Sequence, residues 1–107
     1  METIQIGCIV YTQQQPIAIM RHSTSQDKTY LLAQEVIATL LNINCNGSNS
    51  SCISADLAAA QSWLCMHPVG SGVPAGAIWN QIKATHARLE KYNEGKLCAP
   101  SCGDMSQ

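Results

Sequence analysis

Residues 29–43, TYLLAQEVIATLLNI, carry apolar side chains at the spacing of an α-helix. Two apolar rows would lie side by side on that helix: Leu32, Val36, Leu40 and Ile43 in one, and Ala33, Ile37 and Leu41 in the other. Polar residues are left to one narrow side, at Glu35, Thr39 and Asn42. So much apolar surface must be covered on several flanks. We therefore predict a central helix at about residues 28–43, around which the other elements pack.

The composition restricts the class of protein. The chain has 107 residues, enough for one domain, 1–107, with a single modest core. Hydrophobic residues make up 46% and charged residues only 12%, which excludes a disordered tail and a coiled coil. The net charge is -1 and Lys and Arg form no run, so nothing in the sequence attracts nucleic acid or an anionic membrane. No apolar run is long enough to predict a transmembrane segment.

Cysteines give the clearest indication of the cellular compartment. The chain contains six of them, namely Cys8, Cys45, Cys52, Cys65, Cys98 and Cys102. An even number at this density in a short chain predicts three disulfides and an oxidising environment. Two glycosylation sequons begin at Asn46 and Asn49, between Cys45 and Cys52, as is typical of a secreted surface loop. We therefore expect a protein that is secreted or held at the cell surface.

The flanking segments predict a hairpin and further helices. Two short β-branched runs on either side of Gly7-Cys8 predict a hairpin over residues 1–11, closed by a two-residue turn. A short helix should start at a Thr12 cap and end near Met20, with Ile17 and Met20 facing inward. Ser25 or Asp27 would cap the central helix.

Two more helices are expected after the Asn/Ser-rich loop. One begins near Ser54 and ends at His67-Pro68, and the other runs over about residues 76–93, with Ile78 on its apolar face and Gly95 as its left-handed stop. The predicted fold is mainly α: a disulfide-stapled bundle of about four helices over 12–95, with the N-terminal hairpin and a tail over 96–107.

Several sequence blocks together resemble a family of uncharacterised secreted or surface-associated proteins. The blocks cover about residues 4–100: IQIG with Tyr11-Thr12, DKTY at 27–30, IATLLN at 37–42, Ser51-Cys52, the Ala-rich helix to Leu64, HPVGSGV at 67–73, Tyr92-Asn93 before Gly95, and LCAP at 97–100. Members of the family usually carry an upstream Gly-Tyr-Trp-Lys-Asn-His-Pro segment, which this sequence lacks. The resemblance implies an extracellular location and a shared fold, but no activity. It also favours a disulfide between Cys52 and Cys98, because the family's blocks keep that pair. The residues themselves leave Cys45–Cys52 as a rival, since six cysteines allow 15 pairings.

The sequence contains three candidates for a chemical site. Cys65, His67, Cys98 and Cys102 could bind zinc, but disulfides use the same cysteines without a metal. A Cys65 nucleophile with His67 or His86 as its base lacks any supporting flanking sequence. The loop 70–76 could hold an anion at a helix N-terminus, but it has no Gly-Lys-Ser/Thr, so a simple turn is expected. We therefore predict no catalytic residue, cofactor or metal.

The remaining reading is a structural or adhesion-type recognition module that binds an unknown protein or surface. Its expected contact loops contain Asn46 and Asn49, and Gly70, Ser71 and Gly72. The alternative is a small extracellular carrier of a lipid or other apolar ligand, lined by Met20, Met66 and the two Trp residues. A zinc-binding intracellular module would require reduced cysteines.

Overall fold

The computed structural model describes residues 3–12, 14–46 and 51–97, and for residues 44–46 the backbone only. Within these residues the elements are β1 (Thr3–Ile6), β2 (Ile9–Thr12), α1 (Gln14–Arg21), α2 (Lys28–Asn46), α3 (Ser54–Met66), α4 (Ala77–Asn80) and α5 (Lys83–Asn93). The prediction of a mainly helical fold with an N-terminal hairpin and a disulfide staple is confirmed. Most of the predicted tail, residues 98–107, lies outside the described residues.

The hairpin has the predicted two-residue turn. β1 and β2 are antiparallel, and the pair Ile6 and Ile9 closes the turn at Gly7-Cys8. Gly7 has a φ of 67°, as the first position of a primed hairpin turn requires. Ile4 and Ile6 on β1 are buried, so one face of the hairpin packs into the core. That packing is necessary, because an isolated two-stranded hairpin is only marginally stable in water.

Helix α2 is the centre of the fold, as predicted, and extends to Asn46. It contacts α1, α3, α5 and β1. Its buried apolar side chains are Leu32, Ala33, Val36 and Ile37. The predicted split between faces was partly wrong: Leu41 is exposed, whereas the polar residues Thr39 and Asn42 are buried. The reason is α5, which packs along the polar side of α2 and covers it.

Helix α1 does not face the core in the way its sequence indicated. Ile19 is buried, whereas Ile17 is 47% and Met20 45% exposed, so the predicted inward pair was wrong. The side-chain amide of Gln34 on α2 donates to the carbonyl oxygens of Ile19 and His22, both at 3.0 Å. These bonds hold the C-terminal end of α1, which contains the buried Ile19, against α2.

Side-chain hydrogen bonds cap the N-terminal ends of α1 and α2. The Thr12 N–H donates to Gln15 Oε1 at 2.9 Å, which is one half of a capping box. Asp27, the last residue before α2, accepts a hydrogen bond from the Thr29 N–H at 3.0 Å, so the Asp27 cap is confirmed.

The single fourth helix predicted over residues 76–93 is two helices, α4 and α5. The chain breaks at Gln81 and Ile82, where N–H groups bond back to the carbonyl oxygens of Ile78 and Trp79. Ile78, which was predicted to face inward, is exposed at this bend, whereas its neighbour Trp79 is buried. α5 ends at a Schellman motif with Gly95 at φ 78°, which confirms the predicted stop.

Candidate functional site

A disulfide ties the hairpin turn to the end of α3. Cys8 in the turn bonds to Cys65, 57 residues later, with the two Cα atoms 4.8 Å apart. Cys52 is also disulfide-bonded, so every cysteine side chain described is oxidised. The Cys65 sulfur is therefore neither a zinc ligand nor a nucleophilic thiolate in this structure. Cys98, Cys102 and the Cys45 side chain lie outside the described residues, so the pairings Cys52–Cys98 and Cys45–Cys52 stay predictions.

The turn approaches α3 more closely than any side chain would allow. A Cβ atom added to Gly7 would lie 2.7 Å from the carbonyl carbon and oxygen of Leu64 and 2.8 Å from the backbone nitrogen of Cys65. The side-chain amide of Gln61, one turn earlier on α3, bonds to the hairpin backbone at two points. Its Nε2 donates to the carbonyl oxygen of Gln5 at 2.8 Å, and its Oε1 accepts from the Gly7 N–H. Nothing in the sequence singles out Gln61.

An open groove lies beside β1, next to the Gln61 amide. Its volume is about 440 Å³, within the range of ligand-binding clefts. Its lining comes from β1, α2 and α3, namely Thr3, Ile4, Gln5, Leu40 and Gln61. None of these residues is charged, and the whole segment from Thr3 to Met20 lacks Asp, Glu, Lys, Arg and His. The groove can therefore select for uncharged groups, with polar backbone along one side and apolar side chains at Ile4 and Leu40.

The glycine-rich loop is bound to the N-terminus of α2. The Asp27 carboxylate accepts the N–H groups of Gly72 and Val73, both at 3.1 Å, in addition to the Thr29 N–H and hydroxyl. The Gly70 N–H donates to Thr29 Oγ1 at 3.0 Å, and the Lys28 N–H donates to the Val73 carbonyl at 2.7 Å. The amides of Gly70 and Gly72 are thus used within the fold and do not form an anion site. Gly70, Ser71 and Gly72 are nevertheless exposed.

These hydrogen bonds also govern the protonation of Asp27. Partial burial alone would raise the pKa of its carboxyl group, but the hydrogen bonds from Thr29, Val73 and Gly72 outweigh burial and lower it. Each bond stabilises the ionised form, which therefore holds the helix and the loop together at neutral pH.

A polar network fills the contact between α2 and α5. The Asn93 side-chain amide donates to the Glu35 carbonyl at 3.1 Å, to Glu35 Oε1 at 3.0 Å and to Thr39 Oγ1 at 3.1 Å. Asn42 Nδ2 donates to Asn93 Oδ1 at 2.9 Å. Glu35, Thr39 and Asn42 of the central helix are therefore partners of one residue at the end of α5, and satisfied buried networks of this kind specify how two helices align.

Rings from three helices form a cluster next to this network. Trp63 lies 6.0 Å from Trp79, and Trp79 lies 5.5 Å from His86, both in edge arrangements. His86 Nε2 and Trp63 Nε1 are buried and have no hydrogen-bond partner among the described residues. Burial lowers the pKa of His86, Lys28 lowers it further, and Glu35 and Glu90 oppose the shift. The neutral imidazole is thus the form that the core accepts.

The other residues singled out in the sequence are dispersed. Met20 and Met66 are exposed, whereas Trp63 and Trp79 belong to the packed core, so these four do not line a common cavity. The Asn46 side chain and Asn49 lie outside the described residues. Within the described part of the chain, no three His, Cys, Asp or Glu side chains converge as metal ligands would. None of the helices described has the length and apolarity needed to cross a bilayer.

Comparison with known proteins adds no family to this description. No protein-family model matches the chain, and no match to it is found among curated proteins or solved structures. The resemblance of the sequence blocks to secreted proteins thus remains a prediction.

Proposed function

We propose that this protein is a secreted or cell-surface module with a structural or recognition role and no catalytic activity. The observation that carries the proposal is the disulfide between Cys8 and Cys65, together with the oxidised state of Cys52. Disulfides form and persist mainly in oxidising compartments outside the cytosol. They also suit a small domain, whose core alone supplies only a modest margin of stability.

The placement of the disulfide supports a binding role over a purely stabilising one. It fixes the hairpin on α3, directly beside the groove lined by Gln5 and Gln61. Binding surfaces built on rigid elements lose less conformational entropy when a partner binds. The uncharged segment 3–20 supplies four of the large exposed apolar residues, Ile9, Val10, Ile17 and Met20. These four lie on β2 and α1, which pack against each other, and neighbouring exposed apolar groups are typical of a contact surface.

The proposal is tested by the location and oxidation state of the natural protein. Cells that produce the chain are separated into medium, surface and cytosolic fractions, and thiols are alkylated before intact mass measurement. We expect the chain in the medium or at the surface with no alkylated cysteine, about six daltons lighter than the reduced chain because each disulfide removes two hydrogens. Cytosolic protein with alkylated cysteines would overturn the proposal.

Native mass measurement of the same preparation tests the carrier alternative. A recognition module should show the mass of the oxidised chain alone or with a protein partner. A retained mass in the lipid range would replace the recognition role with the carrier role.

A further inference from the structure

The outer edge of β1 has hydrogen-bonding groups that the hairpin does not use. In an antiparallel pair, residues alternate between bonding to each other and pointing their N–H and C=O groups outward. Since Ile6 and Ile9 close the turn, Gln5 and Thr3 are the residues of β1 whose backbone groups point outward. Two observed bonds agree with this alternation, because Gln5 C=O bonds to Gln61 and Thr12 N–H bonds to Gln15.

Gln61 occupies part of this edge as a strand would. In a parallel ladder, each residue bonds to two residues of the adjacent strand, on either side of the one that it faces. Its N–H donates to the C=O of the residue before the facing one, and its C=O accepts the N–H of the residue after it. The Gln61 side-chain amide does the same around Ile6, by donating to Gln5 C=O and accepting from Gly7 N–H. One side chain therefore imitates a single residue of a parallel strand.

The next position along the same edge is open. If a real strand continued this pattern past Gln61 along β1, its residue facing Ile4 would donate its N–H to the Thr3 carbonyl. The same residue would accept a hydrogen bond from the Gln5 N–H. Neither group has a hydrogen-bond partner among the described residues. The groove of about 440 Å³ lies at this position, since Thr3, Ile4, Gln5 and Gln61 all line it.

We propose that the groove binds an extended, uncharged peptide segment of a partner protein, which pairs with β1 as a parallel strand and ends against Gln61. This inference rests on the recognition role proposed above and names the partner class. Strand addition of this kind takes its affinity from main-chain hydrogen bonds and its specificity from pockets for alternate side chains.

The register determines the preferred sequence of the peptide. The residue beside Ile4 shares its face of the sheet and packs toward Leu40, so it should be apolar and β-branched. The residues before and after it lie on the outer face with Thr3 and Gln5, so they should be polar and uncharged. A parallel direction is favoured because Gln61 already occupies the Gln5 carbonyl, which an antiparallel partner would need.

The hairpin supplies its own matched control. Gln5 and Val10 are paired across the two strands and both point their backbone groups outward, but Gln5 faces the groove and Val10 faces the opposite edge. Proline at either position removes an N–H that the hairpin ladder does not use, and edge strands tolerate proline there. Gln5→Pro should therefore remove the N–H that would donate to the peptide, together with the Gln5 side chain that lines the groove, whereas Val10→Pro changes nothing in the groove.

The experiment selects a random heptapeptide library, displayed on phage, against the oxidised full chain. The best peptide is then synthesised with capped ends and titrated calorimetrically into the wild type and both variants. We expect an alternating uncharged sequence whose affinity falls about tenfold with Gln5→Pro, the loss of one good hydrogen bond, and by less than about twofold with Val10→Pro. In the wild type, bound peptide should slow hydrogen exchange of the Gln5 amide, a readout that needs no variant.

Three results would overturn the inference. The first is that no peptide is enriched above a control selection on Gln5→Pro. The second is a peptide that binds both variants equally, and the third is a peptide that leaves the hydrogen exchange of the Gln5 amide unchanged. A peptide bound elsewhere would remove the groove but leave the recognition role standing. That role falls instead with cytosolic, reduced protein.

Discussion

Replacement of Gly7 by Ala should destabilise the protein in two ways, through an unfavourable left-handed φ and through a steric clash with the backbone of α3. A left-handed φ costs a residue with a Cβ about 1–2 kcal/mol. The new Cβ would also lie 2.7 Å from backbone atoms of Leu64, which cannot move aside as a side chain could. Overpacking of this kind costs about 1–3 kcal/mol. The smaller freedom of alanine in the unfolded chain returns about 0.4–1 kcal/mol. We therefore expect Gly7→Ala to lower the free energy of unfolding by about 2–4 kcal/mol.

Gly72→Ala is the matched control. Gly72 also has a left-handed φ, 82°, but a Cβ there would meet nothing within 4 Å. Its cost is therefore the conformational part alone, about 1 kcal/mol. Guanidinium unfolding of both oxidised variants, followed by the fluorescence of the buried Trp63 and Trp79, measures the difference. If Gly7→Ala and Gly72→Ala differ by less than roughly 0.5 kcal/mol, the close approach of the turn to α3 is not a significant constraint.

Three further predictions concern the staple, the cap and the buried ring. Replacing Cys8 and Cys65 by Ser should cost about 4 kcal/mol in the chain-entropy model of a 57-residue loop; a loss below about 1 kcal/mol in denaturant titration would contradict that account. Asp27→Ala should cost about 1–3 kcal/mol at pH 7, from the helix cap and two stranded loop amides. Hydrogen bonding lowers the pKa of Asp27 in the folded state, so its contribution to stability is complete above the unfolded pKa of about 3.9. The contribution is lost as pH falls through the folded pKa. If Asp27→Ala cost the same free energy of unfolding at pH 7 and pH 2, the role of the charge would be refuted. For His86 the folded pKa is also lowered, so its neutral form favours folding above the unfolded value of about 6.5 and stability declines as pH falls below it. His86→Phe should flatten that decline in thermal unfolding between pH 7 and 5, and an unchanged slope would exclude His86 as its source.

Local signals in the sequence predicted the individual elements well. The apolar spacing of residues 32–37 predicted α2 because a helix with that face has to be buried. The cap predicted at Ser25 or Asp27 and the stop predicted at Gly95 located the start of α2 and the end of α5, since caps depend on a few neighbouring residues. Gly7 predicted the hairpin turn for the same reason. Each of these signals acts over a few residues and needs no partner from elsewhere in the chain.

Sequence patterns failed to predict features that depend on a contact with a residue far away in the sequence. No Gly or Pro marks the break at Gln81 and Ile82, so one helix was predicted in place of α4 and α5. Ile17 and Ile19 are equally apolar, and only the docking of α1 on α2 decides which is buried. The polar residues Glu35 and Thr39 read as a solvent-facing side, because Asn93, their partner, is more than fifty residues away.

The groove beside β1 was not predicted at all. It exists because Gln61 of α3 reaches the backbone of Gln5 and Gly7, which are more than fifty residues earlier in the chain. A glutamine on a helix gives no indication of such a role, since the same side chain is common on solvated surfaces.

The sequence by itself determined that this chain forms a central apolar helix and a glycine-dependent hairpin, because periodicity, caps and turns are local properties of the backbone. It also predicted that the fold is stapled by a disulfide. Only the tertiary structure decided which cysteine meets Cys8, which polar side chains are buried together and where the hairpin edge stays open. Those outcomes depend on contacts between residues far apart in the chain. Such contacts arise from the mutual fit of whole elements, which no local pattern encodes.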